Sequence, residues 1–221
     1  TSSGLISGSP NVGFYQPLVR VVGSVNASGS DSTTVSISVI GSTGPAGVGS
    51  SESNVMWFRA DSGVTTSASN VTAWNDQSGN GNNLGTVGAN SVAYATNQVN
   101  SLPALQFAGD DRGLILNLFN SMPKLEMTYF LVVNTSGTNE APLSYATTSD
   151  NNEMLLFQST QFLGGVNNNF SGSAYNNGSW NIVSFTWRSS DGAATLRRNS
   201  TTATSSVLTA DSIEAGGSFV I

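Results

Sequence analysis

The chain has 221 residues and a net charge of −6, only 9% of its residues are charged, and it contains neither Cys nor His. Its seven Lys and Arg are scattered, which excludes the clustered cations of a nucleic-acid groove or a polybasic membrane patch. Without Cys and His, disulfides, thiolate zinc sites, Cys nucleophiles and His-based triads are excluded as well. No apolar run is long enough to insert into a bilayer, and the Ser/Thr/Asn/Gly-rich makeup points to an exported, extracellular protein, secreted or held at a cell surface.

The length suffices for one large β domain with an appendage. After a mixed lead-in over 1–17, residues 18–25 and 33–40 read as two strands. In the second, Val35, Ile37 and Val39 alternate with Thr34, Ser36 and Ser38, the period of a half-buried strand. A lone hairpin is marginal in water. Residues 1–40 therefore form an N-terminal β-hairpin segment that packs on the main domain or, the favoured reading, ends a preceding one. Residues 41–53 are a Gly/Pro/Ser linker, and 54–221 are one domain.

Beyond the linker every periodic segment is short and β-like. Strands are expected over 55–58, 71–74, 104–107, 127–133, 153–157, 180–187 and 194–197, separated by Gly, Asn and Ser clusters, with no amphipathic helix and no repeat. Such spacing predicts an all-β, two-sheet sandwich. Residues 127–133 are apolar at both parities, as a central strand is expected to be. Residues 218–221 read as a strand in which the chain stops.

The most constrained stretch runs from Trp74 to Leu84. Between these two lie nine residues drawn only from Gly, Asn, Asp, Ser and Gln. Gly79 and Gly81 admit positive φ, and Asn and Asp bond their own backbone. A compact, self-bonded loop pinned to a sheet by Trp74 is expected.

Trp57-Phe58-Arg59-Ala60-Asp61-Ser62-Gly63-Val64, the 74–84 loop, and Leu102-Pro103-Ala104-Leu105-Gln106-Phe107-Ala108-Gly109-Asp110-Asp111 resemble, in that order, motifs of the bacterial laminin-G-like, concanavalin-A-like domains. The resemblance covers roughly 54–221. It implies an antiparallel jelly roll in a secreted or surface-anchored protein, of the kind found in flavobacterium-like adhesins, that binds glycans or other surface ligands, sometimes through calcium, and mostly lacks catalysis. Related domains continue past the position of Ile221. The resemblance therefore implies a domain lacking its last strands, either because the chain is cut short or because a strand-donating partner chain supplies the open C-terminal edge.

Calcium requires several convergent oxygens. Asp76, Asn80, Asn82, Asp110 and Asp111 supply them if the two loops meet at one end of the sandwich. Simple capping of loop amides is the commoner fate of such residues and outweighs calcium. Asn168 and Asn169 beside Phe170, and Tyr175 beside Asn177, pair amides with a ring, the chemistry that holds hydroxyl-rich ligands. Glycosidases of this architecture carry a Glu-x-Asp-x-x-Glu strand, and none occurs. The nearest pair, Asp150 and Glu153, reads as a solvated turn. Arg59 and Asp61 read as an ion pair. Trp57 and Trp74 read as core anchors; of Trp180 and Trp187 at least one can face outward, although burial in the core is the favoured reading.

The sequence thus predicts a non-catalytic extracellular adhesion or glycan-binding module of a larger bacterial protein, its partner a glycan or another surface protein. The alternative is a structural spacer or assembly subunit of a surface filament or secreted complex. A polysaccharide hydrolase of the same fold ranks third.

Overall fold

The computed structural model describes residues 13–15, 18–22, 30–34, 37–39, 44, 53–87, 92–109, 113–135, 139–158, 161–175 and 178–221. Among them all regular structure is β. Strand β1 (Gly13–Tyr15) pairs with β4 (Ile37–Val39), and β2 (Leu18–Val22) with β3 (Ser30–Thr34). The expected second strand, 33–40, falls partly in β3 and partly in β4, which pair with different strands.

The strands that follow are β5 (Val64–Ser67), β6 (Asn70–Trp74), β7 (Leu84–Thr86), β8 (Val92–Val99), β9 (Leu102–Gln106) and β10 (Leu114–Phe119). After β11 (Glu126–Val133) come β12 (Glu140–Ala146), β13 (Met154–Gln158), β14 (Gln161–Val166) and β15 (Asn169–Tyr175). The last are β16 (Asn181–Arg188), β17 (Ala193–Arg198), β18 (Thr201–Val207) and β19 (Gly217–Val220). They build two antiparallel sheets. The larger has the order β15-β14-β13-β12-β19-β10-β7-β6-β8-β9, with β5 on β6, and the smaller has the order β11-β16-β17-β18.

Period-two alternation turns one face of each sheet inward. In the large sheet Leu116, Phe219, Tyr145, Met154 and Val166 lie in one cross-strand row. In the small sheet Tyr129, Phe185 and Leu196 lie in another. Residues from both rows join a single core, where each fully buried Phe or Leu contributes about 1.5–3 kcal/mol. Tyr129 stacks on Phe185 with ring centroids 5.3 Å apart. The sheets approach closely at Gly164, where a Cβ would lie 2.3 Å from the Phe185 ring. Trp187 is buried beneath the same sheet, and its indole nitrogen donates to the Thr209 carbonyl at 3.0 Å.

Residues 208–216 cross from β18 to β19, and Ile213 plugs the end of the core on the way. This crossing corrects one expectation. Residues 218–221 are not an open edge, because β19 lies between β10 and β12 and bonds both. A donated strand has no edge to join there. Two further expectations are corrected. Residues 55–58 form no strand; their backbone is taken up by the 75–83 loop instead. Residues 127–133 form β11, an edge strand of the small sheet rather than a central one. Its second apolar parity, Phe130 and Val132, faces outward.

Gly164→Ala forces a methyl into the Phe185 ring, and overpacking of this kind costs about 1–3 kcal/mol. Chemical denaturation is expected to show that loss, and Phe185→Leu in the same chain is expected to return part of it. Independent, additive losses would mean that the sheets do not meet at this pair.

Candidate functional site

Neighbouring strands from β6 through β7, β10, β19, β12 and β13 to β14 are all antiparallel. Strands β6, β12 and β14 therefore point the same way. The loops that follow them, 75–83, 147–153 and 167–168, leave one end of the large sheet. The first two stand four strand spacings apart, roughly 19 Å.

In the 75–83 loop, Asp76 is the hub. Its Oδ1 accepts from the amides of Trp57 and Ser78, both at 2.9 Å. Its Oδ2 accepts from the Ser78 hydroxyl at 2.7 Å and the Asn82 amide at 3.1 Å. A carboxylate offers about four lone-pair positions, so these four donors fill it. Its own amide donates to Asn83 Oδ1 at 2.9 Å. The loop also grips the segment before β5. Asn82 Nδ2 donates to the Val55 carbonyl at 2.8 Å, Asn80 Nδ2 to the Asn54 carbonyl at 3.0 Å, and the Gln77 amide to the Trp57 carbonyl at 2.7 Å. Gly79 and Gly81 have φ of 93° and 74°, the left-handed region their position demands. Trp74 packs against the core and on Phe58, and its indole donates to the Arg59 carbonyl at 2.8 Å. Arg59 pairs with Asp61 at 2.7 Å, as expected, and its guanidinium lies over Trp57.

The second hub is Glu153, only 1% exposed. One oxygen accepts from the Thr147 hydroxyl at 2.6 Å and the other from the Glu214 amide at 2.6 Å. The solvated turn expected here is thus half right: Asp150 is exposed, but Glu153 is turned inward to hold the crossing segment. Beside it the buried Tyr145 hydroxyl donates to the Glu214 carbonyl and accepts from the Gly217 amide, both at 2.8 Å. Burial raises the pKa of this phenol above its ordinary value, which keeps the donating proton in place.

Above these groups the 147–153, 167–168 and 209–216 segments form one polar rim. Ser149 donates to the Glu214 carboxylate at 2.8 Å, and Asn167 to the Ser212 carbonyl at 3.4 Å. Asn167 and Asn168 form a two-residue hairpin turn between paired Val166 and Asn169, with φ of 46° and 59°. Both residues need positive φ, which Asn tolerates, as in a type I′ turn. The Asn168 side chain accepts from Asn152 Nδ2 at 2.9 Å and donates to the Asn151 carbonyl at 3.1 Å. Next to the turn Phe170 is 42% exposed, and its ring covers Gly165, where a Cβ would lie 2.4 Å away.

The expected residues are therefore only partly brought together. Asn168 and Asn169 stand at one end of β15 and Tyr175 at the other, roughly 20 Å along a six-residue rise. The side chain of Tyr175, and Asn177, Asp110 and Asp111 altogether, lie outside the described residues. Asp76 and Asn80 share one loop, where a calcium ion would have to displace the four donors on Asp76. The geometry is that of a loop cap. The 147–153 and 209–216 contributions to the rim were not expected. Their signal was the spacing of Glu153 and Glu214, which gains meaning only once the crossing is known.

No family model matches the chain, and no curated protein does. The rim and the two hubs rest on geometry alone.

Asp76→Asn keeps the shape but turns one acceptor into a donor facing other donors, and it is expected to cost about 2–3 kcal/mol in urea unfolding. Gly79→Ala and Gly81→Ala are each expected to cost about 1–2 kcal/mol, the penalty of a Cβ in the left-handed region. Thermal melts of the unmodified chain with calcium and with chelator are expected to coincide. A calcium-dependent rise in Tm that Asp76→Asn removes would make Asp76 a ligand rather than a cap.

Proposed function

We propose that the chain is a non-catalytic, extracellular glycan-binding or adhesion module with a laminin-G-like jelly roll, part of a larger bacterial surface or secreted protein. One observation carries this reading: the exposed Phe170 ring stands beside the Asn167–Asn169 amides at a rim that rests on the buried Glu153. A ring with one open face stacks on the apolar face of a sugar, and neighbouring amides serve its hydroxyls. The rim also carries Asp150, Asp211 and Glu214, all exposed, which favours a neutral sugar over an anionic one.

The absence of catalysis in this reading is supported by Glu153. Hydrolysis of a glycoside requires two carboxyl groups flanking the scissile bond. Glu153 is enclosed, with both oxygens engaged by Thr147 and Glu214, and so does not face Asp150 across a cleft.

A glycan array with the unmodified chain and with Phe170→Ala tests the reading. Retention of neutral glycans is expected, with at least about a fivefold loss on substitution, equivalent to about 1 kcal/mol. An unchanged array after Phe170→Ala, or release of reducing sugar from a bound polysaccharide, would overturn it.

A further inference from the structure

An outer strand shows unpaired backbone to its surroundings, and sequences usually protect it with Pro, Lys, brevity or a bulge. Most outer strands of the two main sheets are protected in this way. In the large sheet β9 carries Pro103, β15 pairs through a register shift, and β5 has only four residues. In the small sheet β18 also pairs through a register shift. Strand β11 has none of these devices. Its eight residues pair with β16 in unbroken register from Glu126 to Val133, and they include no Pro and no basic residue.

Two contacts fix which backbone groups of β11 face away from β16. The Ser189 amide donates to the Leu125 carbonyl. By the alternation of an antiparallel ladder, Met127, Tyr129, Leu131 and Val133 turn their backbone groups to β16 as well. At the far end Ile182, opposite Val132, has its amide and carbonyl engaged by Asn199 on its other side, which gives the same phase. The amides and carbonyls of Glu126, Thr128, Phe130 and Val132 therefore point to the open side, over roughly 20 Å. Phe130 and Val132 are 71% and 62% exposed. The inward Tyr129, Leu131 and Val133 pack on the core but are only partly buried. The Tyr129 hydroxyl is buried with no partner among the described residues, a rare condition for a buried polar atom. The edge thus lacks both backbone partners and full side-chain cover.

We propose that the free edge of β11 is a strand-acceptor site, filled by one extended segment of a partner polypeptide. Space and charge select this occupant over a second folded copy. Phe185 of β16 lies on Gly164 of β14, and only residues 120–125 separate β10 from β11. The small sheet therefore covers the β10 to β15 part of the large sheet, and β7, β6, β8 and β9 continue past the β11 edge. The large sheet of a second copy would collide with them, whereas a single strand would not. The one charge of the edge, Glu126, makes no salt bridge among the described residues, since Arg188 opposite it is bonded twice to Asp191. It calls for a basic residue on the partner, and a second copy of net charge −6 offers repulsion instead. The added strand gains affinity from main-chain bonds and specificity from alternate side chains. Its inward positions are apolar beside Leu131 and Val133, with an acceptor in reach of the Tyr129 hydroxyl.

Hydrogen exchange of the full chain reads the edge first. The amides of Thr128, Phe130 and Val132 are expected to exchange at least about tenfold faster than those of Met127, Tyr129 and Leu131. The chain is then titrated, by fluorescence anisotropy, with a library of labelled peptides of the length of β11, apolar at alternate positions with threonine, asparagine or lysine between. Lysine-bearing members are expected to bind best, and a bound peptide is expected to slow the three open-side amides at least about tenfold. Thr128→Pro removes one of those amides without taking a bond from the β16 ladder, and it is expected to raise Kd at least about tenfold. Glu126→Lys, at an exposed end of the strand, is expected to weaken the lysine-bearing members at least about threefold. The proposal fails if the three amides are already protected in the free chain, if no member of the library binds, or if both substitutions leave Kd unchanged. It also fails if the same amides gain protection as the protein alone is concentrated, for then a second copy is the occupant.

Discussion

The domain depends on a buried carboxylate. Glu153 lies one residue before β13, and through the Glu214 amide it holds the segment that carries the chain from the small sheet to the large one. Burying a charge is costly unless strong donors meet it, and here a hydroxyl and a backbone amide do so at 2.6 Å each. Tyr145 fixes the same segment one step further on, bridging the Glu214 carbonyl and the Gly217 amide. Gly217 must be glycine, since a Cβ would lie 2.2 Å from the Ala146 carbonyl. With those contacts made, β19 enters the middle of the large sheet and Phe219 reaches Phe119 in the core. Without them, β10 and β12 would lose the strand between them.

Asp76 does the corresponding work for the 75–83 loop. Both acids serve as acceptors for backbone amides that no sheet reaches. In a chain with so few charges, that is where a carboxylate contributes most, because a buried amide without a partner costs about 1–3 kcal/mol. The exposed polar groups of the rim stand on the first of these anchors, Glu153. The rim can therefore present Phe170 and its amides in a fixed geometry, which lowers the entropic cost of binding.

Much of this was legible in the sequence, and for identifiable reasons. The all-β class followed from short alternating runs. The 75–83 loop was readable because its glycines, Asp76 and Asn82 are all local to one another. What escaped was long-range. Residues 55–58 look like a strand by composition, and only the loop 19 or more positions away shows what engages their backbone. Residues 127–133 look central because both parities are apolar, and whether the second parity is covered depends on which strands stack against it. The crossing of 208–216 pairs Glu153 with a residue 61 positions distant, which no periodicity reports. The same holds for the open edge of β11, which is visible only in the strand order of the small sheet.

The central claim is that Glu153 positions β19 through the crossing segment. Site-resolved hydrogen exchange of Glu153→Ala against the unmodified chain tests it most directly. Protection is predicted to fall first at the Glu214 amide and across 217–220, with the Asp76-bonded amides of Ser78 and Asn82 unaffected. If 214–220 stay as protected as before, or if the loss is uniform over both sheets, the crossing is held by something other than this carboxylate and the account is wrong.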